Sequence, residues 1–363
     1  MSERGAIHQF VPVLAARDAI GRHVFAAQAL LRDAGFASEI YADELRPEVI
    51  GRARERSTYK GGPPGRTWHL YHCSTGSAMG PDLVERHEPV VLDYHNITPA
   101  ELFEKWEPWV GGQMALARKQ LAQVAPRALA GLADSSFNAN ELHAFGCQRT
   151  EVAPILLDLA EFDEPPDRPT LDRLLTRKDV GGADWLFVGR IAPNKAQHEL
   201  VLALAAYRAT IDPAARLWLV GSASSHLYLT RLGALVDDLG LRDAVTMVGS
   251  ASEAELRAYY AAADVFVCAS DHEGFCAPIV EAMYVGVPVI AYHAGAVPET
   301  LGPGGLLISD KRPLDVAEVV ARVLLDGDCR TTLIEAGHLR AADFAFEHTS
   351  RRFLDAVAAV TGA

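Results

Sequence analysis

Two doubly wound α/β domains are the fold this sequence predicts, and three observations predict it. Strand-like apolar runs alternate with helical patterns through the first half, and the same alternation restarts in the second half. An acidic, proline-rich stretch from Glu161 to Asp184, with Pro165-Pro166, Pro169 and Gly181-Gly182, separates the two series. A chain of 363 residues is also too long for one ordinary core. Domains are therefore expected at 1–160 and 181–345, with a linker at 161–180 and a closing helix at 346–363.

Taken in order, the strand-like runs of the first half are Ala6 to Pro12, Ser38 to Tyr41, Trp68 to Cys73, Pro89 to Tyr94 and Leu132 to Asp134. Helical patterns fall at Gly21 to Ala34, Pro81 to Arg86 and Leu102 to Ala130, and the Gly/Pro-rich stretch Arg54 to Arg66 reads as a loop. The second half offers strands at Trp185 to Val188, Arg216 to Val220, Ala244 to Val248, Val265 to Cys268, Val289 to Ala291 and Leu306 to Ile308, with helices between them. Phe346, Phe353, Leu354 and Val357 give the last segment helical apolar spacing.

Composition narrows the function. With 49% hydrophobic and 22% charged residues the chain is globular, and a net charge of −13 argues against a nucleic-acid partner, which needs a basic footprint. No apolar run reaches transmembrane length, and Met1 to Gly5 lack the start of a signal peptide. The five cysteines, Cys73, Cys147, Cys268, Cys276 and Cys329, are odd in number and show no zinc-type pairing. A reduced cytoplasmic enzyme is the expectation.

The most informative stretch is Asp271-His272-Glu273-Gly274-Phe275-Cys276-Ala277-Pro278-Ile279-Val280-Glu281-Ala282-Met283, followed by Gly286-Val287-Pro288. The apolar run Ala263 to Ser270 before it reads as a buried parallel strand, and Pro278 suits a first helical turn. Strand, short loop and helix N-terminus together aim backbone amides at an anion. Glu273 and Glu281 flank that turn, where carboxylates can accept hydrogen bonds from sugar hydroxyls while amides hold phosphates. The pair alone is weak, since two glutamates at such spacing arise by chance in helix-rich chains. The full pattern is not weak. It resembles the paired-glutamate signature of retaining nucleotide-sugar glycosyltransferases of family four, with Cys276 in a position that is usually small.

That resemblance implies a GT-B fold, two Rossmann-like domains facing across a cleft, with a closing helix that crosses back to the first domain. Leu186-Phe187-Val188-Gly189-Arg190, then Lys195, resembles the family's Gly-Arg…Lys motif, although the Gly that often follows the Lys is Ala196 here. Two cations at a strand-to-helix turn can converge on one diphosphate and neutralise its charge as it departs. The resemblance further implies that Glu281 holds the ribose, that Glu273 with Gly274, Phe275 and Cys276 holds the sugar, and that Ser250 lies beside the base. In the first domain Gly21 and His95 (in Asp93-Tyr94-His95-Asn96-Ile97-Thr98-Pro99) would stand near donor and acceptor. From the residues alone, Gly21 is as well read as a plain turn, His95 as a helix-capping histidine, and Ser250 as a loop or cap residue. His-Asn-Ile-Thr-Pro also resembles a branch engaged in bacterial polysaccharide and O-antigen assembly.

The expectation is a metal-independent retaining transferase with no cofactor, because no Asp-x-Asp motif lies near the site. It would use a GDP- or UDP-sugar donor and a saccharide, lipid-linked saccharide or small-molecule acceptor, with peripheral membrane contact left open. His69 and His72 show no metal-ligand set, and Trp106 and Trp109, near Arg118, Lys119 and Arg127, are read as core in preference to a membrane face. A GT-B epimerase or phosphorylase is a second reading, and a degenerate binding module a third. Intact Glu273, Glu281, Arg190 and Lys195 count against the third. A glycogen-synthase-like enzyme lacks its Lys-Thr-Gly-Gly segment here, and an oxidoreductase lacks Gly-x-Gly-x-x-Gly after a strand.

Overall fold

The computed structural model describes residues 4–16, 18–178 and 181–362. The chain forms two units: one comprises the chain up to Ala100, Trp109–Asp158 and the end from Phe344, and the other Glu101–Pro108 and Leu159–Asp343.

In the first unit seven parallel strands, β1 (Ala6–Leu14), β2 (Ile40–Leu45), β3 (Arg54–Glu55), β4 (Thr67–Cys73), β5 (Val90–Tyr94), β6 (Ala130–Ala133) and β7 (Thr150–Val152), lie in the order β3-β2-β1-β4-β5-β6-β7. Every residue of β5 and β6 is buried, as a sheet covered by helices on both faces requires. Register sets His72 of β4 beside Asp93 of β5. The helix Phe346–Thr361 lays Phe353, Ala356, Val357 and Val360 into one cluster with Ile7, Leu31 and Leu132. Burying a side chain such as Phe353 contributes about 1.5–3 kcal/mol, which ties the chain's end to this unit's core.

The second unit holds six parallel strands, β8 (Asp184–Val188), β9 (Arg216–Val220), β10 (Val245–Gly249), β11 (Val265–Cys268), β12 (Val289–Tyr292) and β13 (Leu306–Ile308), in the order β10-β9-β8-β11-β12-β13. At the amino edge of this sheet Arg216 donates to Asp184 at 2.6 Å and to the carbonyls of Arg177, Gly181 and Gly182. Trp218 Nε1 donates to the same carboxylate at 3.1 Å, so the buried ion pair is fully hydrogen-bonded.

Strand order reverses between β1 and β4 in one sheet and between β8 and β11 in the other. In open α/β sheets such reversals leave a crevice at the carboxyl ends of the strands, where ligands bind.

Several elements differ from the sequence reading. The long helix expected from Leu102 to Ala130 breaks at prolines into Glu101–Glu104, Pro108–Val124 and a turn at Ala125–Arg127, because a proline ring clashes with the preceding turn. β3 lies within the expected loop, and β7 and the helix Ser136–Ala144, capped by Ser135, carried no strong periodic signal. The stretch expected as a linker contains the helix Arg168–Lys178, packed on the helix Glu253–Ala262; residues 179 and 180 lie outside the described residues. Trp106 packs edge-on against Tyr228 at 4.9 Å, but Trp109 is 75% exposed and belongs to no core.

Candidate active site

The site builds up around the β8–β11 reversal. After β11 the chain turns through residues 269–276 and enters the helix Ala277–Tyr284, with Pro278 in its first turn. Cys276, just before the helix, has φ 73, a left-handed conformation that side chains rarely adopt. Gly295 supports the loop from beneath: a Cβ there would lie 2.3 Å from the Glu273 carbonyl oxygen, which accepts from the Ala296 N–H at 2.8 Å. Thr300 Oγ1 donates to the Phe275 carbonyl at 2.6 Å. The loop is thus held from β12's following turn as well as from β11.

Across the reversal, β8 ends at Val188, and Gly189 follows with φ 148. A Cβ on Gly221, after β9, would lie 2.1 Å from the Gly189 carbonyl oxygen, so the two chains pass backbone against backbone. Lys195 closes the 3-10 turn Pro193–Lys195, and Ala196 with φ 49 starts the next helix, Gln197–Thr210. That left-handed φ is the physical reason a glycine would suit position 196, and alanine meets it with strain.

Lys195 and Glu273 meet here. Nζ donates to both carboxylate oxygens, at 2.6 and 2.7 Å, with the side chains 17% and 8% exposed. Burial opposes the charge on Lys195, but Glu273 outweighs it and holds the Lys195 pKa above its ordinary value. Asp271 N–H donates to the Asn194 carbonyl at 2.8 Å, a second tie between the two turns. Glu281 falls in the second turn of the helix, 3% exposed, and accepts from the Tyr260 hydroxyl at 2.8 Å.

Arg190 stands exposed past β8 and takes no part in the Lys195–Glu273 pair; its carbonyl accepts from Gln197 Nε2 at 2.9 Å. Ser250 is exposed after β10, and the cap of the next helix is Ser252, which forms a capping box with Glu255. Tyr260, Gly295 and Thr300, which the sequence reading did not single out, hold Glu281, Glu273 and Phe275 in place. Only a glycine between a strand and a helix start hinted at one of them.

The β1–β4 reversal in the first unit is different. Gly21 lies inside the helix Ala19–Asp33, not in a loop before it, and its N–H donates to the capping Asp18 carboxylate at 2.6 Å. A Cβ at Gly21 would lie 1.6 Å from the Ala15 carbonyl oxygen, so close packing explains the glycine. The His95 ring, 1% exposed, has both nitrogens engaged: Nδ1 with Asp134 at 3.1 Å and Nε2 with His72 Nδ1 at 3.1 Å. His95, expected to stand near donor and acceptor, has Asp134 and His72 as its named ring partners. His72 Nε2 donates to Gln9 Oε1 at 2.8 Å. His23 Nδ1 accepts from the Leu156 N–H at 3.0 Å, which leaves the proton on Nε2, bonded to Asp93 at 2.8 Å.

His23, His72, Asp93 and His95 bring their ligand atoms within 4.8 Å of one another, as a metal site would. Orientation decides against one. His72 and His95 are parallel to within 6° with centroids 5.4 Å apart, and two imidazoles whose nitrogens meet at 3.1 Å reach that separation only when coplanar and end to end. Lone pairs aimed at each other along one line hold a proton; a metal at about 2.0–2.1 Å from each nitrogen does not fit between them. His95 is the charged partner: burial lowers its pKa, yet Asp134 and Asp93 raise it to about 9, whereas burial drives His72 to about 4. Asp93 is held well below its ordinary value, because His95 and His23 outweigh its burial. Cys268, Glu273 and Cys276 form a second group of the right size, but Lys195 already covers both oxygens of Glu273.

Residues 176–340 match the family described as "Glycosyl transferases group 1". The GDP-mannose-dependent alpha-(1-6)-phosphatidylinositol monomannoside mannosyltransferase of Mycobacterium tuberculosis (strain CDC 1551 / Oshkosh) is 37% identical over 159 residues, 41% of this chain and 40% of that protein. The chain thus spans about two-fifths of that relative's length. The D-inositol 3-phosphate glycosyltransferase of Thermobifida fusca is 28% identical over 317 residues, 84% of this chain and 72% of that protein. Among solved structures, Anabaena Alr3699/HepE in complex with UDP and glucose aligns with a TM-score of 0.75 at 17% identity, covering 98% of this chain and 100% of that one. Sucrose-phosphate synthase from Thermosynechococcus elongatus aligns with a TM-score of 0.77 at 20% identity, covering 98% and 99%. The family match over residues 176–340 and these relatives support a glycosyltransferase of the family-four type, and the two Rossmann-like units are those of the GT-B fold. The resemblance drawn from the paired glutamates holds.

No helix among the described residues is long and apolar enough to cross a membrane.

Proposed function

We propose that the chain transfers a sugar from a nucleoside diphosphate sugar to an acceptor hydroxyl, with retention at the anomeric carbon and without a metal. The observation that carries this reading is the Lys195–Glu273 pair at the β8–β11 reversal, one turn before the helix Ala277–Tyr284. A diphosphate entering there competes with Glu273 for the Lys195 ammonium, and the freed carboxylate turns to the sugar's hydroxyls. Arg190, exposed nearby in sequence, supplies the second cation, so the pair of side chains does the electrostatic work that a metal does elsewhere. Glu281, oriented by Tyr260, accepts from the ribose, and Ser250 lies toward the base. Gly274, Phe275 and Cys276 contribute backbone to the sugar site.

Relatives named for GDP-mannose and a structure holding UDP support a GDP- or UDP-sugar as donor. The acceptor is a saccharide, a lipid-linked saccharide or a small molecule, taken up by the first unit. Among the described residues Asp271, two positions from Glu273, is paired with Lys311, which suits reaction on one face with the leaving phosphate accepting the acceptor's proton.

The test begins with calorimetric titration of UDP, GDP and ADP, expected to find one tight binder, and continues with turnover of the matching α-linked donors in excess chelator. Transfer with an α-linked product by NMR is the expected result. A β product, or turnover that only Mg or Mn ions restore, overturns the reading.

A further inference from the structure

The donor turn carries two sulfurs that the proposed transfer does not use. Cys268, the last residue of β11, and Cys276, the residue before the helix Ala277–Tyr284, place their Sγ atoms 4.0 Å apart. Cys268 is buried, with its Sγ 3.3 Å from Ser270 Oγ, while the residue Cys276 is half-buried.

Backbone conformation makes the pairing more than proximity. At φ 73 the chain before this helix favours glycine, and a cysteine there is strained. That strained residue delivers its thiol to another thiol eight positions back, with Glu273 between them in sequence. The Cys268 thiol is also drawn below its ordinary value, first by the hydrogen bond from Cys276 Sγ.

We propose that Cys268 and Cys276 form a redox-modifiable dithiol, oxidised by a peroxide to an intrachain disulfide that closes the donor turn. The chemistry balances with hydrogen peroxide as the oxidant. One sulfur of the pair, as thiolate, attacks a peroxide oxygen; the O–O bond breaks, a sulfenic acid forms and, after proton uptake, one water leaves. The second sulfur then attacks the sulfenic sulfur; the S–O bond breaks, the S–S bond forms and a second water leaves. Two thiols are oxidised and one peroxide is reduced.

Joining the sulfurs shortens their separation from 4.0 Å to about 2.0 Å. The movement falls on Cys276 more than on Cys268, which β11 fixes in the sheet between β8 and β12. Cys276 in turn carries the backbone of Gly274 and Phe275 and the first turn of the helix. The Glu273 loop, fitted to Gly295 and Thr300 in the reduced form, cannot keep both contacts. Formation of the disulfide does not depend on the proposed donor site, whereas its effect on donor binding rests on that reading.

The experiment treats the full chain with limiting hydrogen peroxide, traps remaining thiols by alkylation and maps tryptic peptides without reduction. Both cysteines fall in the single tryptic peptide 258–311, so linkage reads as that peptide, unalkylated and lighter by two hydrogens, reverting with dithiothreitol. Calorimetry with UDP and GDP on reduced and oxidised protein should show affinity falling about tenfold or more on oxidation. Cys268→Ala should bind nucleotide like the untreated protein and keep that affinity under peroxide. Oxidation of Cys276 alone to higher acids, with no linked peptide, overturns the proposal, as does a linked protein with unchanged affinity. A reduced protein that binds no nucleoside diphosphate sinks the donor reading instead, and the peptide map then decides on the dithiol by itself.

Discussion

At the β1–β4 reversal of the first sheet, the rings of His23 and His72 are buried in a hydrogen-bonded cluster with Asp93, His95 and Asp134. At the β8–β11 reversal of the second sheet, Lys195 and Glu273 meet with part of their surface left open. Both places gather charge at the carboxyl ends of parallel strands. In the first unit every histidine nitrogen named has a protein partner, and the side chains of His95 and Asp134 are 1% and 4% exposed. In the second, Lys195 is 17% exposed and its only named anchor is a carboxylate that a phosphate can replace. A satisfied network contributes rigidity, whereas a pair whose partner can be exchanged suits the ligand role proposed for Lys195 and Glu273. The difference teaches that the reversal fixes where a ligand can bind, while saturation of the local polar groups decides whether one does.

The largest expected effect breaks the first network. Asp134→Ala leaves the His95 imidazolium buried without its closest carboxylate, and loss of one partner of a buried pair costs about 3–5 kcal/mol. Denaturant titration should show the midpoint falling accordingly, while the nucleotide affinity of the folded variant stays unchanged. A loss below about 1 kcal/mol would mean that His95 is neutral and the network uncharged.

Next comes pH. His95 has a folded pKa raised to about 9 from 6.5, so its contribution is fully present below 6.5 and is lost as pH climbs through 9. At about 1.4 kcal/mol per pKa unit the loss is about 3 kcal/mol. His72, lowered to about 4, acts in the opposite window: its contribution is present above 6.5 and is lost as acid brings the pH down through 4. Asp93, depressed, likewise matters only under acid. Cys73, pushed up to about 12 by burial, adds to the alkaline loss only above its ordinary value of 9.0. Stability measured from pH 6.5 to 9 should therefore decline through His95, and in Asp134→Ala the decline should shrink.

The two sites differ in how far the sequence exposes them. Glu273, Glu281, Arg190 and Lys195 sit in contiguous motifs within strand-turn-helix segments that apolar runs and Pro278 mark out, so the residues of the proposed site could be named from sequence, while their roles stand as proposed. What stayed hidden is that Lys195 and Glu273, 78 positions apart, bond each other, since nothing in a sequence reports which turns meet at a reversal. The first unit's network hid for the same reason in a stronger form. His23, His72, Asp93 with His95, and Asp134 come from four separate segments, and only the packing of the first helix and the order of β4, β5 and β6 assemble them. His95 was legible as a residue at a strand's end but not in its role, because its two partners lie on other strands. Helix breaks at Pro108 and Pro126 were readable from the prolines, yet apolar spacing ran through them and carried the expectation of one long helix.

The smallest of these effects separates the partners within the second site. Lys195 and Glu273 share a bond, so removing either disturbs both, but the ligands distinguish them. A nucleoside diphosphate carries phosphates and no transferable sugar; the donor carries both. Lys195→Ala removes a charge-assisted contact to phosphate, worth about 1.5–3 kcal/mol, and should weaken diphosphate and donor alike. Glu273→Ala removes the carboxylate that competes with phosphate for the ammonium, so diphosphate affinity should hold or rise slightly, while donor affinity and transfer rate fall. Calorimetry on both variants with both ligands gives four numbers, and the sign of the diphosphate change in Glu273→Ala carries the decision. If that affinity falls as far as it does in Lys195→Ala, Glu273 is holding Lys195 in place and not waiting for a sugar. The second site would then resemble the first, a network kept for its own structure.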